Sequence, residues 1–282
     1  MDAWEMPANL LERDKGWPPF EEWLAELPEV VAGLAERWGL ELGRPFQPGG
    51  TVSWVAPVPG DRVLKVSWMH DEARDEATAL RVWEGRGTVR LLRSEVFGQT
   101  NALLLERCRP GTTLADALSP PDQDEVVASL LPRLWVEAPP GFQTLTAMAD
   151  DWAGRVDPDR LPDRGLARAG LDVWRELPRT AVRETLLCTD LHPGNVLRAE
   201  REPWLIVDPK PYVGDPDYEP VQHMLNFHDR LLADPGGFAD RMAHLLDLDA
   251  ARVRLYLGAR CVLETPRDPH LWTVVEALGG GF

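Results

Sequence analysis

The sequence predicts an α+β fold of two lobes: a small antiparallel-sheet lobe with one main helix, then a mostly helical lobe. Short runs rich in β-branched and aromatic residues, typical of strands, crowd into the first third of the 282-residue chain. Apolar residues recur at helical spacing through most of the remainder. Arg109-Pro110-Gly111 interrupts both patterns. We therefore expect lobes over residues 1–107 and 108–282.

Composition excludes several classes of protein. With 44% hydrophobic and 27% charged residues, the chain is an ordinary globular one, long enough to bury a sizeable core. A formal net charge of −16 argues against a nucleic-acid or anionic-membrane surface, because phosphate binding needs a basic stripe. The acidity suits a cationic or polar small-molecule substrate, and it equally suits solubility alone.

Cysteine use and the lack of targeting signals predict a cytoplasmic location. The three cysteines, an odd number at wide spacing, form neither a disulfide framework nor a metal knuckle, which fits a reducing compartment. The first residues lack the basic and apolar regions of a signal peptide, and no window approaches the ~18 apolar residues of a membrane span. We expect a cytoplasmic monomer with no membrane segment.

The first lobe is predicted to begin with helices and continue as a sheet. Apolar residues at helical spacing over 19–38 predict two short helices, because Pro28 would break a single one, and Gly39 is a natural stop. Asp71 is a candidate N-cap for a helix through Glu84. The other segments predict two hairpins, with strands at 51–58, 62–68, 89–93 and 102–107.

The second lobe is predicted to be helical apart from two short strands. An apolar run leads into Asp190, and a second run, Trp204 to Val207, ends on Asp208. The helices are expected at about 112–118, 121–137, 144–155, 159–176, 216–231, 236–245, 248–264 and 270–278.

The loop between those strands carries the candidate chemistry. It reads DLHPGN from Asp190 to Asn195, and Asp208 follows 18 residues after Asp190. Carboxylate and carboxamide oxygens are the hard ligands that a divalent cation such as Mg²⁺ takes, and a carboxylate can accept a proton from a hydroxyl. A lone Asp would merely cap a turn, but this set indicates a site where a metal and a reacting hydroxyl meet.

The rarity of lysine supports this interpretation. Of the 30 basic residues, 27 are Arg and only Lys15, Lys65 and Lys210 are Lys. A retained lysine can mark a place that requires a compact ammonium rather than a guanidinium fork. Lys65 lies in the middle of a predicted strand, and Lys210 follows two residues after Asp208.

The order of these motifs resembles that of the aminoglycoside phosphotransferase family, whose fold is bilobal and protein-kinase-like. The segments CTDLHPGNVL and WLIVDPKPYVGDPDY are similar in particular to the branch of streptomycin and hydroxyurea kinases. The phrases AEREPWL, DPK and GDP also occur in that branch, and GGTVSWVAPV and LLLER fit it too. The resemblance covers nearly the whole chain. It implies transfer of a phosphoryl group from ATP, with GTP as the alternative and Mg²⁺ as cofactor, to a small alcohol, which inactivates an antibiotic.

The resemblance implies a role for each residue of the loop region. Asp190 would be the catalytic base for the acceptor hydroxyl, and Asn195 and Asp208 would hold Mg²⁺. Lys210 would lie near phosphate or substrate. Three acidic residues would line the substrate side, with capping of the helix near residue 216 as the alternative; they are Asp215, Asp217 and Glu219.

The resemblance also implies the nucleotide-binding residues of the first lobe. Lys65 would contact the nucleotide phosphates and pair with Glu76, or with Glu72 if the helix register differs by a turn. The glycine-containing turn before the first strand, with Gly50 and Ser53, would cover the phosphates. The stretch from Glu106 to Cys108 would be the hinge whose backbone holds the base.

One departure from the family pattern lies next to Asp190. The family usually has His-Gly-Asp, whereas this chain has Cys188-Thr189-Asp190. We expect Cys188 to be a buried, small apolar substitute, and the change to affect loop support more than chemistry. His192 is expected to be structural rather than a metal ligand.

Two other classes of function have sequence features that could support them. A metal-dependent hydrolase could use Asp190 and His192 with three downstream residues: His223, His228 and Asp229. That alternative leaves Lys65 unexplained. A pseudokinase, which would bind a ligand without turnover, would not need to retain the complete set of Lys65, Asp190, Asn195 and Asp208. Among kinases, other small alcohols remain possible acceptors, including tuberactinomycin-type peptides and amino sugars.

Overall fold

The computed structural model describes residues 5–12 and 17–282, so Lys15 lies outside the described residues, as does the side chain of Glu72. The chain forms two compact units. The first comprises Met1–Gly111 and Arg198–Leu205, and the second comprises Thr112–Leu197 and Ile206–Phe282. The sequence analysis placed the segment 198–205 in the second lobe. It belongs instead to the first unit, where Arg201 is hydrogen-bonded to Glu106.

A four-stranded antiparallel sheet lies at the centre of the first unit, with strand order β1-β2-β4-β3. Both predicted hairpins form, since Val58 pairs with Arg62 and Phe97 pairs with Thr100. The second hairpin has a tighter turn than predicted, so both of its strands extend further towards it. The strands are β1 Ser53–Val58, β2 Arg62–Trp68, β3 Leu91–Phe97 and β4 Thr100–Glu106.

The helix before the sheet corrects the prediction of two short helices. After the short α1, Ala8–Glu12, one continuous α2 runs over Pro18–Trp38 and contains Pro28. An internal proline costs about 3 kcal/mol, whereas burying each large apolar side chain yields roughly 1.5–3 kcal/mol. Burial on both sides of the proline therefore outweighs the lost hydrogen bond. The buried residues are Phe20, Trp23, Leu27, Val31, Leu34 and Trp38.

The helix after β2 starts later than predicted. Asp71–Ala73 form a single 3₁₀ turn, and α3 spans Glu76–Trp83 with Glu84 in the left-handed region at φ 51°. Asp75 has φ −100° and ψ 0°, which is not helical backbone, so the 3₁₀ turn does not continue into the helix. Glu76 consequently lies in the first turn of α3.

The core of the first unit lies between α2 and one face of the sheet. Leu64, Val66 and Trp68 of β2 point into this core, so the alternation of a strand turns Lys65 to the opposite face. The Trp23 indole N–H donates a buried hydrogen bond of 3.0 Å to Thr100 Oγ1 at the start of β4.

Nine α-helices form most of the described second unit: α4 Leu114–Ala117, α5 Pro120–Leu130, α6 Leu145–Gly154, α7 Arg164–Glu176, α8 Pro220–Leu225, α9 His228–Ala233, α10 Pro235–Leu246, α11 Ala250–Glu264 and α12 Trp272–Leu278. The helix predicted at 216–231 is instead a 3₁₀ turn followed by α8 and α9. Trp174, Tyr218 and Tyr256 pack together in the interior, with ring centroids 5.5–6.3 Å apart.

Four short strands position the loop of interest. β5, Thr185–Leu187, pairs antiparallel with β8, Tyr212–Gly214. β6, Val196–Arg198, is paired with β7, Trp204–Ile206. Sequence reasoning predicted β5 and β7 only, since β6 and β8 are three residues each and carry no clear alternation. Within residues 5–12 and 17–282, no helix has the length and hydropathy to cross a bilayer.

The buried bond between α2 and the sheet can be tested by Thr100→Val. This change keeps the shape but leaves the Trp23 N–H without its acceptor, which should lower the free energy of unfolding by about 1–3 kcal/mol. Urea denaturation measures this change in the free energy of unfolding. Thr78→Val, at an exposed threonine of α3, should change stability by less than about 0.5 kcal/mol. Equal effects of the two variants would contradict the proposed contribution.

Candidate active site

The predicted lysine–glutamate pair of the first unit is present and buried. Lys65 Nζ donates to both carboxylate oxygens of Glu76, at 2.7 and 2.8 Å. Only 6% of Lys65 and 1% of Glu76 is exposed. A buried ion pair adds little to stability because desolvation of the two charges offsets their attraction. The pair is therefore better explained by a function for the ammonium than by a need of the fold.

The turn before β1 depends on a different glycine from the one predicted. Gly49 has φ +79°, and a Cβ there would lie 2.5 Å from Pro7 Cβ, so only glycine fits. Gly50 lacks both constraints, because its added Cβ would meet only ordinary contacts. The Ser53 hydroxyl is buried and shares a 2.8 Å hydrogen bond with Ser67 Oγ.

An arginine from the distant segment 198–205 holds the end of β4. Arg201 makes two hydrogen bonds to the Glu106 carboxylate, at 2.8 and 2.9 Å, and two more to the carbonyls of Gly85 and Thr88. Burial raises the pKa of Glu106, but the Arg201 hydrogen bonds outweigh it and keep that pKa below its usual range. The Glu106 side chain thus fixes the predicted hinge. Burial and the charge of Glu106 raise the pKa of Cys108 to about 12, so its thiol stays protonated.

In the second unit, a strained three-residue turn delivers Asp190. β5 leads into Cys188, which is buried, and Thr189 then has φ +52°. Asp190 N–H donates to Cys188 O at 2.8 Å and closes the turn. A β-branched residue in the left-handed region is a conformational outlier. The glycine usual in the family would adopt this φ without strain, so the departure noted in the sequence has a backbone cost.

The carboxylate of Glu219 compensates for that strain. It accepts the N–H groups of Cys188, at 3.1 Å, and Thr189, at 2.7 Å. Glu219 is 1% exposed, and its burial raises its pKa to about 7 although the two N–H donors lower it. The Thr189 hydroxyl also donates to Lys210 O. Glu219 therefore supports the backbone immediately before Asp190, which replaces its predicted substrate role.

Backbone hydrogen bonds bring Asn195 and Asp208 to the same place. Val207 N–H donates to Asn195 O at 2.9 Å, and Lys210 N–H donates to Cys188 O at 3.0 Å, so both neighbours of the Asp208-Pro209 segment are tied to the loop. The Asn195 amide group donates from Nδ2 to Asp190 O at 3.1 Å. That bond uses the NH₂ of the amide group and none of the acceptor capacity of its oxygen, the atom that a cation would need.

Lys210 contacts the predicted base directly. Its ammonium Nζ lies 2.8 Å from Asp190 Oδ2, with side chains 30% and 15% exposed. Nearby, His192 Nδ1 accepts the Gly194 N–H at 3.2 Å, which is the structural role expected for it. Burial lowers the pKa of His192. Burial likewise raises the pKa of Cys188 far above its usual value, so its thiol is inert.

Comparison with known proteins agrees with this geometry. Residues 46–268 match the sequence profile of the family described as "Aminoglycoside/hydroxyurea antibiotic resistance kinase". The chain belongs to this family.

Individual relatives in this antibiotic resistance kinase family align over most of the chain. It is 37% identical over 270 residues to a hydroxyurea phosphotransferase of Kitasatospora aureofaciens, an alignment covering 92% of this chain and 78% of that protein. It is 33% identical over 274 residues to a streptomycin 6-kinase of Streptomyces griseus, covering 91% and 86%. The chain is accordingly a small-molecule kinase of the antibiotic-resistance class.

Solved structures show the same protein-kinase-like fold. A choline kinase from Streptococcus pneumoniae superposes with a TM-score of 0.58 at 13% identity, covering 89% of this chain and 91% of that one. A macrolide 2'-phosphotransferase type I gives 0.52 at 18% identity, covering 89% and 96%. At such identities the likeness concerns the fold alone, and it confirms the fold class predicted from the sequence.

The structure also corrects the substrate-facing role predicted for Asp215. Asp215 is 2% exposed and bound by Arg252 and by the Tyr256 hydroxyl, so it is structural rather than substrate-facing. It also caps the next turn by accepting the Asp217 N–H, which was the alternative. Asp217 accepts the Asp249 N–H and lies in the same cluster.

The histidines of the hydrolase alternative are engaged elsewhere. His223 Nε2 lies 2.8 Å from the buried Asp124, and His228 Nε2 lies 2.9 Å from Asp268. Among the residues that the structure describes, no group of three or more His, Cys, Asp or Glu side chains could hold a metal ion. This arrangement removes the basis for a carboxylate–histidine hydrolase.

Sequence reasoning missed three functional supports. The loop-supporting role of Glu219 depends on burial and long-range contacts, for which a single sequence has no signal. Arg201 lies within the phrase AEREPW, which could have marked it. The contact of Lys210 with Asp190 was within reach, because the retained lysine had already been noted.

The Lys65–Glu76 pair predicts separate effects on folding and on turnover. Lys65→Met should destabilise the protein by about 3–5 kcal/mol, since it removes the ammonium that balances the buried Glu76 charge. Adding Glu76→Leu should recover most of that loss in urea denaturation. Phosphate transfer should stay low in both variants. Arg254→Met, which breaks an exposed pair with Asp240, should cost less than about 1 kcal/mol. Wild-type turnover in the double variant would exclude Lys65 from the reaction.

The raised pKa of Glu219 predicts a specific pH dependence. A carboxyl with pKa about 7 when folded, against 4.5 as its ordinary value, binds more protons in the folded state between those pH values. Wild-type stability should therefore fall relative to Glu219→Gln as pH rises from about 4.5 to 7, by about 3 kcal/mol. The variant should also be less stable at low pH, since one N–H loses its acceptor. Parallel stability–pH curves would rule out the assigned role.

Proposed function

We propose that the protein is an ATP–Mg²⁺-dependent O-phosphotransferase that inactivates a hydroxylated antibiotic of the streptomycin or hydroxyurea type. The observation that carries the proposal is the placement of two lysines in an arginine-rich chain. Of its three lysines, Lys65 pairs with Glu76 and Lys210 pairs with Asp190, and both carboxylates belong to the predicted site. Family membership supports the same reaction class.

In the second unit, Asp190 is the proposed base. It lies at the exit of a rigid, buried turn and keeps its carboxylate partly exposed, as a group must that receives a proton from a bound hydroxyl. The acceptor oxygen bonds to the terminal phosphorus of the nucleotide, its proton passes to Asp190, and the bond from phosphorus to the ADP oxygen breaks. The protein contributes position and charge rather than a covalent intermediate.

The donor set fits a magnesium ion. Asp208 offers a carboxylate, and Asn195 offers its amide oxygen because its NH₂ is used by Asp190 O. These two residues would hold the metal, which when bound neutralises charge on phosphate oxygens. In the first unit, Lys65 would contribute positive charge to the phosphates. The hinge backbone from Glu106 to Cys108 would hold the base, and the turn with Gly49, Gly50 and Ser53 would lie over the phosphates.

A cavity in the second unit favours an acceptor larger than hydroxyurea. It measures about 460 Å³ and is lined by residues 192–194 of the catalytic loop together with Gln123 and Phe227. Hydroxyurea has only a few non-hydrogen atoms and would leave this space unfilled. A ring-bearing acceptor such as streptomycin could present one hydroxyl to Asp190 while another ring enters the cavity.

An ADP-release screen tests the proposal. ATP and GTP are each offered with streptomycin, hydroxyurea, tuberactinomycin-type peptides and amino sugars, with and without Mg²⁺. We expect Mg²⁺-dependent release that requires streptomycin or hydroxyurea. Release with another alcohol alone would keep the kinase and change its acceptor. Nucleotide binding without transfer to any acceptor would favour the pseudokinase.

The role of Asp190 gives a direct prediction for that assay. Asp190→Asn should reduce turnover roughly 10²–10⁴-fold, because the base is removed, while nucleotide affinity changes less than about threefold. Asp229→Asn, at a fully exposed carboxylate of the same unit, serves as the control and should keep wild-type turnover. Unchanged turnover in Asp190→Asn would exclude it as the base.

A further inference from the structure

The contact between Lys210 and Asp190 has implications for when the base is available. The ammonium lies 2.8 Å from Asp190 Oδ2, so one oxygen of the proposed base is engaged by a cation. An oxygen engaged in this way is partly blocked for a hydroxyl or a water molecule, whose O–H group would have to approach the same lone pairs.

The backbone of Lys210 is fixed, but its side chain is not buried. Its N–H donates to Cys188 O at 3.0 Å, and its carbonyl accepts the Thr189 hydroxyl. The four-carbon stem therefore starts from a fixed point beside Asp190, and 30% of the side chain is exposed. A partly exposed ion pair of this kind is weak and exchangeable. A phosphate group that carries more negative charge than the Asp190 carboxylate could compete for the ammonium.

The choice of lysine fits an exchangeable contact. Arginine supplies 27 of the 30 basic residues, yet this position keeps lysine. A guanidinium could hold the Asp190 carboxylate through two parallel hydrogen bonds and would release it reluctantly. An ammonium is a compact charge that can move between neighbouring anions.

We propose that Lys210 is a positioning residue that pairs with Asp190 until a nucleotide phosphate draws it away, so that the base becomes available only when the phosphoryl donor is bound. This proposal rests on the proposed function.

The test compares Lys210→Met and Lys210→Arg with wild type. Calorimetry gives the Kd values for ATP and AMP, and the ADP-release assay gives the rate of acceptor phosphorylation. In Lys210→Met we expect the ATP Kd to rise about tenfold, since one phosphate contact is lost, while the AMP Kd stays within twofold. In Lys210→Arg, transfer should fall about tenfold while the ATP Kd stays within threefold.

Arg254→Met removes an exposed cation of the same unit and should leave every value unchanged. An unchanged ATP Kd in Lys210→Met or wild-type transfer in Lys210→Arg would each overturn the proposal. Thermal denaturation of each variant separates these effects from misfolding. If wild type phosphorylates no alcohol, the proposed function fails, and the ATP and AMP affinities of Lys210→Met still decide whether Lys210 contacts the phosphates.

Discussion

The carboxylate of Glu219 is the constraint on which the catalytic loop depends. It binds the N–H groups of Cys188 and Thr189, the two residues that precede Asp190. A threonine in the left-handed region costs about 1–3 kcal/mol, and charge-assisted hydrogen bonds of about 1.5–3 kcal/mol each can offset it. The direction in which Asp190 leaves the turn is therefore set by a buried acid 29 residues later in the sequence. Asn195 is fixed to the same region by its side-chain amide, which donates to Asp190 O, and Lys210 by its backbone N–H, which donates to Cys188 O.

The two lysines of the site illustrate opposite uses of an ion pair. Lys65 and Glu76 are almost wholly buried, and the ammonium contacts both carboxylate oxygens, so the geometry of the pair is fixed. Removing either partner leaves the charge of the other shielded from water. Lys210 and Asp190 are partly exposed, so water screens their attraction and the pair can separate at little cost. The first lysine suits a permanent phosphate contact. The second suits a contact that changes during the reaction.

The sequence was sufficient for the family and the fold class, and it named both partners of the buried Lys65–Glu76 pair. It failed where tertiary packing decides. Pro28 lies inside a continuous helix because the buried side chains, three before it and three after it, outweigh its cost. Glu219 and Asp215 looked like substrate ligands because they follow the catalytic loop, but both carboxylates are buried and hydrogen-bonded internally. No pattern in a single chain distinguishes an acid that faces a ligand from one that supports a backbone turn.

Arg201 has a consequence for how the chain is made. It lies 95 residues after Glu106, and its other acceptors, the carbonyls of Gly85 and Thr88, also belong to the first unit. At about 5–20 residues per second, a ribosome adds Arg201 roughly 5–20 s after Glu106. During that interval the nascent sheet holds an acidic side chain and two carbonyls that await their partner. A fragment ending at residue 111 would reproduce this unfinished state permanently, so the first unit cannot be isolated intact by truncation.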